Sequence, residues 1–200
     1  MSDTFTPEFR EWPKTPRLFR DIVITEKIDG TNAAIHISED GQVAAQSRKR
    51  IITPDSDNYG FARWAADNVA ELAHILGPGL HFGEWWGQGI QRRYGLDEKR
   101  FSLFNTVRWH TQKDEDGTTM NSRAEQSSLV GQVDAVPILY RGVFDQDEID
   151  AQLKELLENG SYAAPGFMNP EGICVYHSQT RNVFKVTLDN NDAGKWEAAA

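Results

Sequence analysis

The chain has 200 residues, 39% hydrophobic and 26% charged, the balance of an ordinary globular protein. A single domain of this size buries roughly 70% of its unfolded surface and needs no metal or disulfide to hold it. Its 21 basic and 30 acidic residues leave a net charge of −9, which excludes a protein that coats nucleic acid by bulk charge but allows a local basic cleft. One cysteine, Cys174, excludes an internal disulfide and a cysteine-rich zinc site. Short apolar runs exclude a membrane-spanning helix, and the N-terminus lacks a signal-peptide core, so a cytoplasmic setting without membrane partners is expected.

Residues 1–20 hold Pro7, Pro13 and Pro16 and read as an irregular lead-in. Ile22 to Ile28 is rich in β-branched residues and predicts a strand. Ala33–Ser38 and Val43–Arg48 flank Asp40-Gly41, which tolerates positive φ, and predict a hairpin. Phe61, Trp64, Ala65, Val69, Leu72 and Leu76 fall on one face of a single helix, capped by Asp57 or Asn58 and stopped by Gly77-Pro78-Gly79. Strands are predicted over 80–86 and 100–108, a polar loop over 111–122, and a short strand over 136–140. Asp145 with Glu148 suggests a capping box for a helix ended by Asn159-Gly160. A strand pair follows over 172–178 and 182–188, then a partly disordered tail at 191–200. Antiparallel strands broken by two helices predict an α+β fold rather than a doubly wound parallel sheet. Acidic residues concentrate at 114–116 and 145–158, away from the basic clusters at 48–50, 92–93 and 99–100.

No phosphate-binding glycine loop is present, and the five histidines lack metal-ligand spacing. The informative string is Glu26-Lys27-Ile28-Asp29-Gly30-Thr31-Asn32. A lysine at a strand end, followed by a tight Asp-Gly turn, holds one amine rigidly. Nearby positive charge or desolvation can then turn it into a nucleophile. On its own, K-x-D-G also describes a surface lysine before a turn.

Further strings follow in order. They are Ser47-Arg48 after the hairpin, Phe82-Gly83-Glu84, Phe101 to Asn105, Glu171-Gly172-Ile173 and Phe184-Lys185-Val186. Together they resemble the motif series of the covalent nucleotidyltransferases, the superfamily of nucleic-acid ligases and capping enzymes. The E-K-I-D-G-T-N string is most similar to ATP-dependent RNA ligases, particularly bacteriophage RNA ligases of the second type. The resemblance spans 22–188 and implies an ATP-grasp-like domain over 21–190, with antiparallel sheets flanked by helices around a nucleotide cleft.

It also implies roles. Lys27 is the nucleophile that carries AMP, and Lys185 stabilises the α-phosphate. Glu171 serves Mg²⁺ or Mn²⁺. Arg48 and Glu84 fix the ribose, Phe104 stacks on adenine, and Glu26 accepts from the adenine amine. Ile28, Asp29, Gly30 and Asn32 complete the ATP site, while Arg48, Arg50, Arg92 and Arg93 meet nucleic acid. The implied substrates are RNA ends, a 3′-hydroxyl and a 5′-phosphate at a nicked duplex or tRNA break; the resemblance leaves the oligomeric state open, a monomer being one option.

Strand parity agrees in part. Over 100–108, Phe104 shares a face with Ser102 and Thr106, an aromatic among polar neighbours as a base platform requires. The sequence departs from the family in two places. Thr187 stands where a second lysine is usual, for which Arg181 or Lys195 could substitute, and few residues follow Leu188, so a catalytic domain alone is expected. A minimal DNA ligase, a capping-type guanylyltransferase and a non-catalytic nucleotide- or RNA-binding module of the same fold remain as alternatives.

Overall fold

The computed structural model describes residues 7–111, 113 and 117–189. The acidic run at 114–116, Lys195 and the tail at 191–200 lie outside the described residues. The described strands form two sheets. The first has the order β10-β9-β1-β8, built from β1 (Asp21–Lys27), β8 (Ile138–Val143), β9 (Gly172–His177) and β10 (Asn182–Thr187). The second has the order β4-β3-β2-β5-β6-β7. Its strands are β2 (Thr31–Ile37), β3 (Val43–Ser47), β4 (Ile51–Ile52), β5 (Gly79–Gly87), β6 (Lys99–Leu103) and β7 (Val133–Ala135). Pairing is antiparallel except between β6 and β7, which run parallel.

Each sheet buries one face under helices. The second packs Ile35, Trp85, Phe101 and Leu103 against Phe61, Leu72 and Ile75 of α1 (Phe61–Asp67) and α2 (Val69–Leu76). The first packs Ile22, Ile24, Ile173 and Val175 against Ile149 and Leu156 of α5 (Gln146–Asn159). Alternation along a strand sends every second side chain to the opposite face. The residues left over line a cleft of about 1110 Å³: Val23, Thr25, Lys27, Cys174, Tyr176, Val183 and Lys185 from one sheet, Asn32, Leu80, Phe82 and Glu84 from the other. A smaller cluster of Ile28, Trp86, Tyr94, Val136 and Ala164 lies beside the turn that follows Lys27.

Several boundaries differ from the sequence expectation. The single helix over 61–76 is two, because Asn68 breaks it and donates from its side chain to the Trp64 carbonyl at 2.7 Å. Asp57, not Asn58, satisfies the start of α1, accepting from the Ala62 and Arg63 amides at 2.8 and 3.0 Å. Asn58 instead donates to Thr31 Oγ1 at 2.9 Å. The strand expected over 100–108 ends at Leu103. Asn105 Oδ1 accepts from the Arg108 amide at 3.0 Å and opens the short α3 (Thr106–Thr111). The polar stretch read as loop gives way to α4 (Met120–Glu125), capped by Thr119, whose side chain accepts from the Ser122 amide. Asp145 caps α5 through the Asp147 amide at 2.9 Å.

Candidate active site

Lys27 is the last residue of β1, and its register partner on β9 is Gly172, which pairs onward with Thr187 of β10. One row back, Thr25 pairs with Cys174 and Cys174 with Lys185. Parity therefore puts Lys27 and Lys185 on the cleft face of one sheet, with Glu171 entering just before β9. Lys27 Nζ donates to Glu171 Oε2 at 2.5 Å, with both side chains partly exposed.

Facing them, β5 presents Glu84, whose Oε1 accepts from the Gly30 amide at 3.1 Å. Burial pushes the Glu84 carboxyl up to about 7. The charge of Lys27 and the Gly30 N–H pull against that, and Glu171 and Asp29 add to it. Gly30 makes this approach possible: a Cβ there would lie 2.4 Å from the Trp85 carbonyl oxygen and 2.7 Å from Trp86 Cβ. Arg48, in the turn after β3, and Asn32, beside Glu84 on β2, line the same cleft. So does Phe104, which has left the strand; its amide donates to the Phe82 carbonyl at 3.0 Å and its ring is half-exposed. The parity argument for Phe104 therefore lapses, since regular alternation stops at Leu103, although its ring does face the cleft. Burial holds the Cys174 thiol up at about 11, so it stays protonated at neutral pH.

Four of the expected residues have surroundings that the sequence did not foresee. Glu26 is buried, and its carboxylate accepts from Ser161 Oγ at 2.6 Å and from the Tyr162 and Ala163 amides at 2.9 Å each. It is adjacent to Lys27 on a strand, so its carboxylate points to the other face and anchors the 161–163 loop, while the residue still contributes to the cleft lining. Despite those hydrogen bonds, burial raises its pKa. Arg92, expected to meet nucleic acid, is instead turned inward onto Asp29 and the 169–170 backbone. Arg50 is exposed and also braces the neighbouring loop through the Ser56 carbonyl and Oγ at 3.0 and 2.8 Å, neutral partners that leave its charge in place. Arg93 is exposed. Arg181 lies just before the far end of β10 from Thr187, about 20 Å along the strand, too far to replace the family's second lysine.

Sequence reasoning missed Tyr94. Its hydroxyl accepts from the Asp29 amide at 2.8 Å, and burial pushes its pKa up. It also missed the cleft lining of Leu80, Phe82, Tyr176 and Val183. The alternation of β5 could have found the first two.

Among the described residues, no group of three or more His, Cys, Asp or Glu side chains could enclose a metal ion. Glu171 is the carboxylate nearest the amine, so a divalent cation would take most of its ligands from water and from phosphate. That donor set suits Mg²⁺, which keeps several waters and binds through one or two carboxylates.

The two sheets, the lysine at a strand end and the lysine and carboxylates around it define a nucleotidyltransferase-type domain. The chain belongs to the RNA ligase family, whose model matches residues 20–187. No curated protein matches the chain in sequence. Solved structures of the Naegleria gruberi RNA ligase share the fold. An apo variant has 18% identity and a TM-score of 0.55, covering 84% of this chain and 49% of that one. A variant with AMP and Mn has 16% identity and a TM-score of 0.55, with coverage of 85% and 50%. A variant with ATP and Mn has 18% identity and a TM-score of 0.52, with coverage of 92% and 58%. The chain thus spans about half the length of these structures. No helix among the described residues is long and apolar enough to cross a membrane.

Proposed function

We propose that this chain is the adenylyl-transferring core of an ATP-dependent RNA ligase. The observation that carries the reading is the Lys27 amine at a strand end, 2.5 Å from Glu171 and on one face with Lys185, in a cleft large enough for a nucleotide. Membership in the RNA ligase family supports it, as do the ATP, AMP and Mn held by the Naegleria structures of the same fold.

The Lys27 nitrogen attacks the α-phosphorus of ATP after its proton departs, a proton that Glu171 Oε2 already contacts. A P–N bond forms, the bond to the β-phosphate bridging oxygen breaks, and pyrophosphate leaves. Phosphoryl transfer of this kind needs alignment and charge neutralisation more than covalent help. Lys185 meets negative charge on the α-phosphate. Glu84, Arg48 and Asn32 frame the ribose side. Phe104 supplies a flat apolar surface for the base, worth roughly 1–3 kcal/mol. A divalent cation, Mg²⁺ or Mn²⁺, would be held at Glu171 and would neutralise phosphate charge.

AMP then passes to an RNA 5′-phosphate, and a 3′-hydroxyl displaces it as the ends are sealed. The substrate would be a nick or a tRNA break, bound by a monomer.

Intact-mass measurement after incubation with ATP and Mg²⁺ tests the first step. One added AMP is expected on the native chain and none on Lys27→Ala. An undiminished adduct on Lys27→Ala would overturn the assignment. Following labelled AMP onto 5′-phosphorylated RNA and DNA ends then tests the substrate.

A further inference from the structure

The loop between β5 and β6 has an unusual backbone. Gln91, Arg93 and Tyr94 have φ of 42°, 61° and 50°, in the left-handed region that is strained for a residue with a Cβ. Such strain persists only where the surroundings over-determine it. Here Ile90 and Tyr94 are buried, and the Tyr94 ring lies 4.9 Å from Trp86 and 4.6 Å from Phe167. Arg92 is held between these two anchors with its side chain 14% exposed.

The guanidinium reaches three segments far apart in sequence. Nε donates to Asp29 Oδ2 at 3.1 Å, in the turn after Lys27. Nη1 donates to the carbonyls of Asn169 and Pro170 at 3.1 and 3.2 Å, and to Asn169 Oδ1 at 3.1 Å, on the approach to Glu171. Nη2 pairs with Asp189, just past the strand that carries Lys185. The same loop grips Asp29 a second time, through the Tyr94 hydroxyl on its amide.

We infer that Arg92 is a positioning residue for the Lys27–Glu171 pair: one guanidinium ties the nucleophile turn, the approach to Glu171 and the end of β10. Arginine suits the task because its donors lie in a fixed planar fork, whereas the single ammonium of lysine cannot address all three segments in that geometry. Arg92 touches neither Lys27 nor Glu171; it acts by fixing the backbone on both sides of them. The inference rests on the proposed adenylyl transfer for its kinetic readout only.

The test compares Arg92→Lys and Arg92→Gln with the native chain. Amide hydrogen exchange is followed in peptides covering 27–31 and 168–173, beside the rate of AMP attachment at saturating ATP and the ATP concentration giving half that rate. Exchange should quicken in both segments for both variants. The saturating rate should fall on the order of tenfold or more, because displaced reacting groups lose alignment. The half-saturating ATP concentration should change far less. Unchanged exchange in either segment would overturn the inference. So would a lost rate with unchanged exchange, or full native rate in Arg92→Lys. Should Arg92→Gln fail to fold, Arg92→Lys carries the test. If the native chain accepts no AMP, the proposed function fails and the exchange measurement still decides the role of Arg92.

Discussion

Glu26 and Lys27 are adjacent in the string that singled out this chain, yet their side chains lie on opposite faces of one sheet. Alternation along a strand is a physical constraint. Once Lys27 faces the cleft, Glu26 must face the interior, so this placement was legible in the sequence. Glu84 was legible only in part. Its strand and its face follow from the pattern of 80–86, but its burial beneath Gly30 depends on a partner 54 residues away. That burial has a consequence for stability. The Glu84 carboxyl is raised from 4.5 to about 7. Between those values an unfolded chain has released the proton and the folded chain retains it, so stability falls as pH rises through the window and levels off above it. The shift corresponds to about 3 kcal/mol at most. Glu84→Gln keeps an acceptor for the Gly30 amide and carries no charge. Without nucleotide, it should be more stable than the native chain at pH 8 and differ little near pH 4.5, as urea unfolding at the two pH values would show. An equal difference at both would mean that ionisation is not the cause.

Between elements, the approach of turn to strand sets the site. The strands carrying Lys27 and Glu84 were readable because each alternates between buried and more exposed positions over five or more residues, whereas β10, which carries Lys185, does not alternate and was readable only from Val183, Phe184 and Val186 and the turn before them. The region after Leu103 was not, since a single side-chain cap at Asn105 converts an extended pattern into a helix. The contacts of Arg92 were illegible for another reason. They join residues 63, 77 and 97 positions away, and a local pattern carries no such information. Two glycines mark where elements come closest. A Cβ at Gly30 would lie 2.4 Å from the Trp85 carbonyl oxygen, and one at Gly172, whose φ is 149°, would lie 2.2 Å from that of Val186. Both obstacles are backbone, so neither can swing aside. Gly30→Ala and Gly172→Ala should each destabilise the chain by about 1–3 kcal/mol, as overpacking does. Both should also slow AMP attachment, because the first pushes the Lys27 turn off β5 and the second spreads β9 from β10. Native melting temperatures and rates in both variants would show that the close approaches are immaterial.

At the scale of the molecule, a net charge of −9 would have to coexist with the proposed binding of RNA. The structure reduces the cations available for it. Arg92 is internal and Arg100 pairs with Glu98 at 2.8 Å, whereas Arg50 and Lys99 bond only neutral acceptors and keep their charge. Arg48, Lys49 and Arg93 make no ion pair with a described residue, and Arg48 lines the cleft. Each phosphate neutralised contributes a log–log salt slope of roughly −0.7 to −0.9, so three to five contacts give a slope of about −2 to −4.5. Binding of an RNA nick, followed by fluorescence anisotropy between about 50 and 200 mM salt, should show that shallow slope. AMP attachment depends on a small ligand and on charges inside the cleft, which salt screens less than exposed ones. It should hardly change over the same range. Arg93→Ala should weaken RNA binding and spare AMP attachment, whereas Arg92→Ala should do the reverse by loosening the Lys27 turn while removing no phosphate contact. A slope near −10, or equal loss of both steps in Arg93→Ala, would place the nucleic-acid surface elsewhere on the chain.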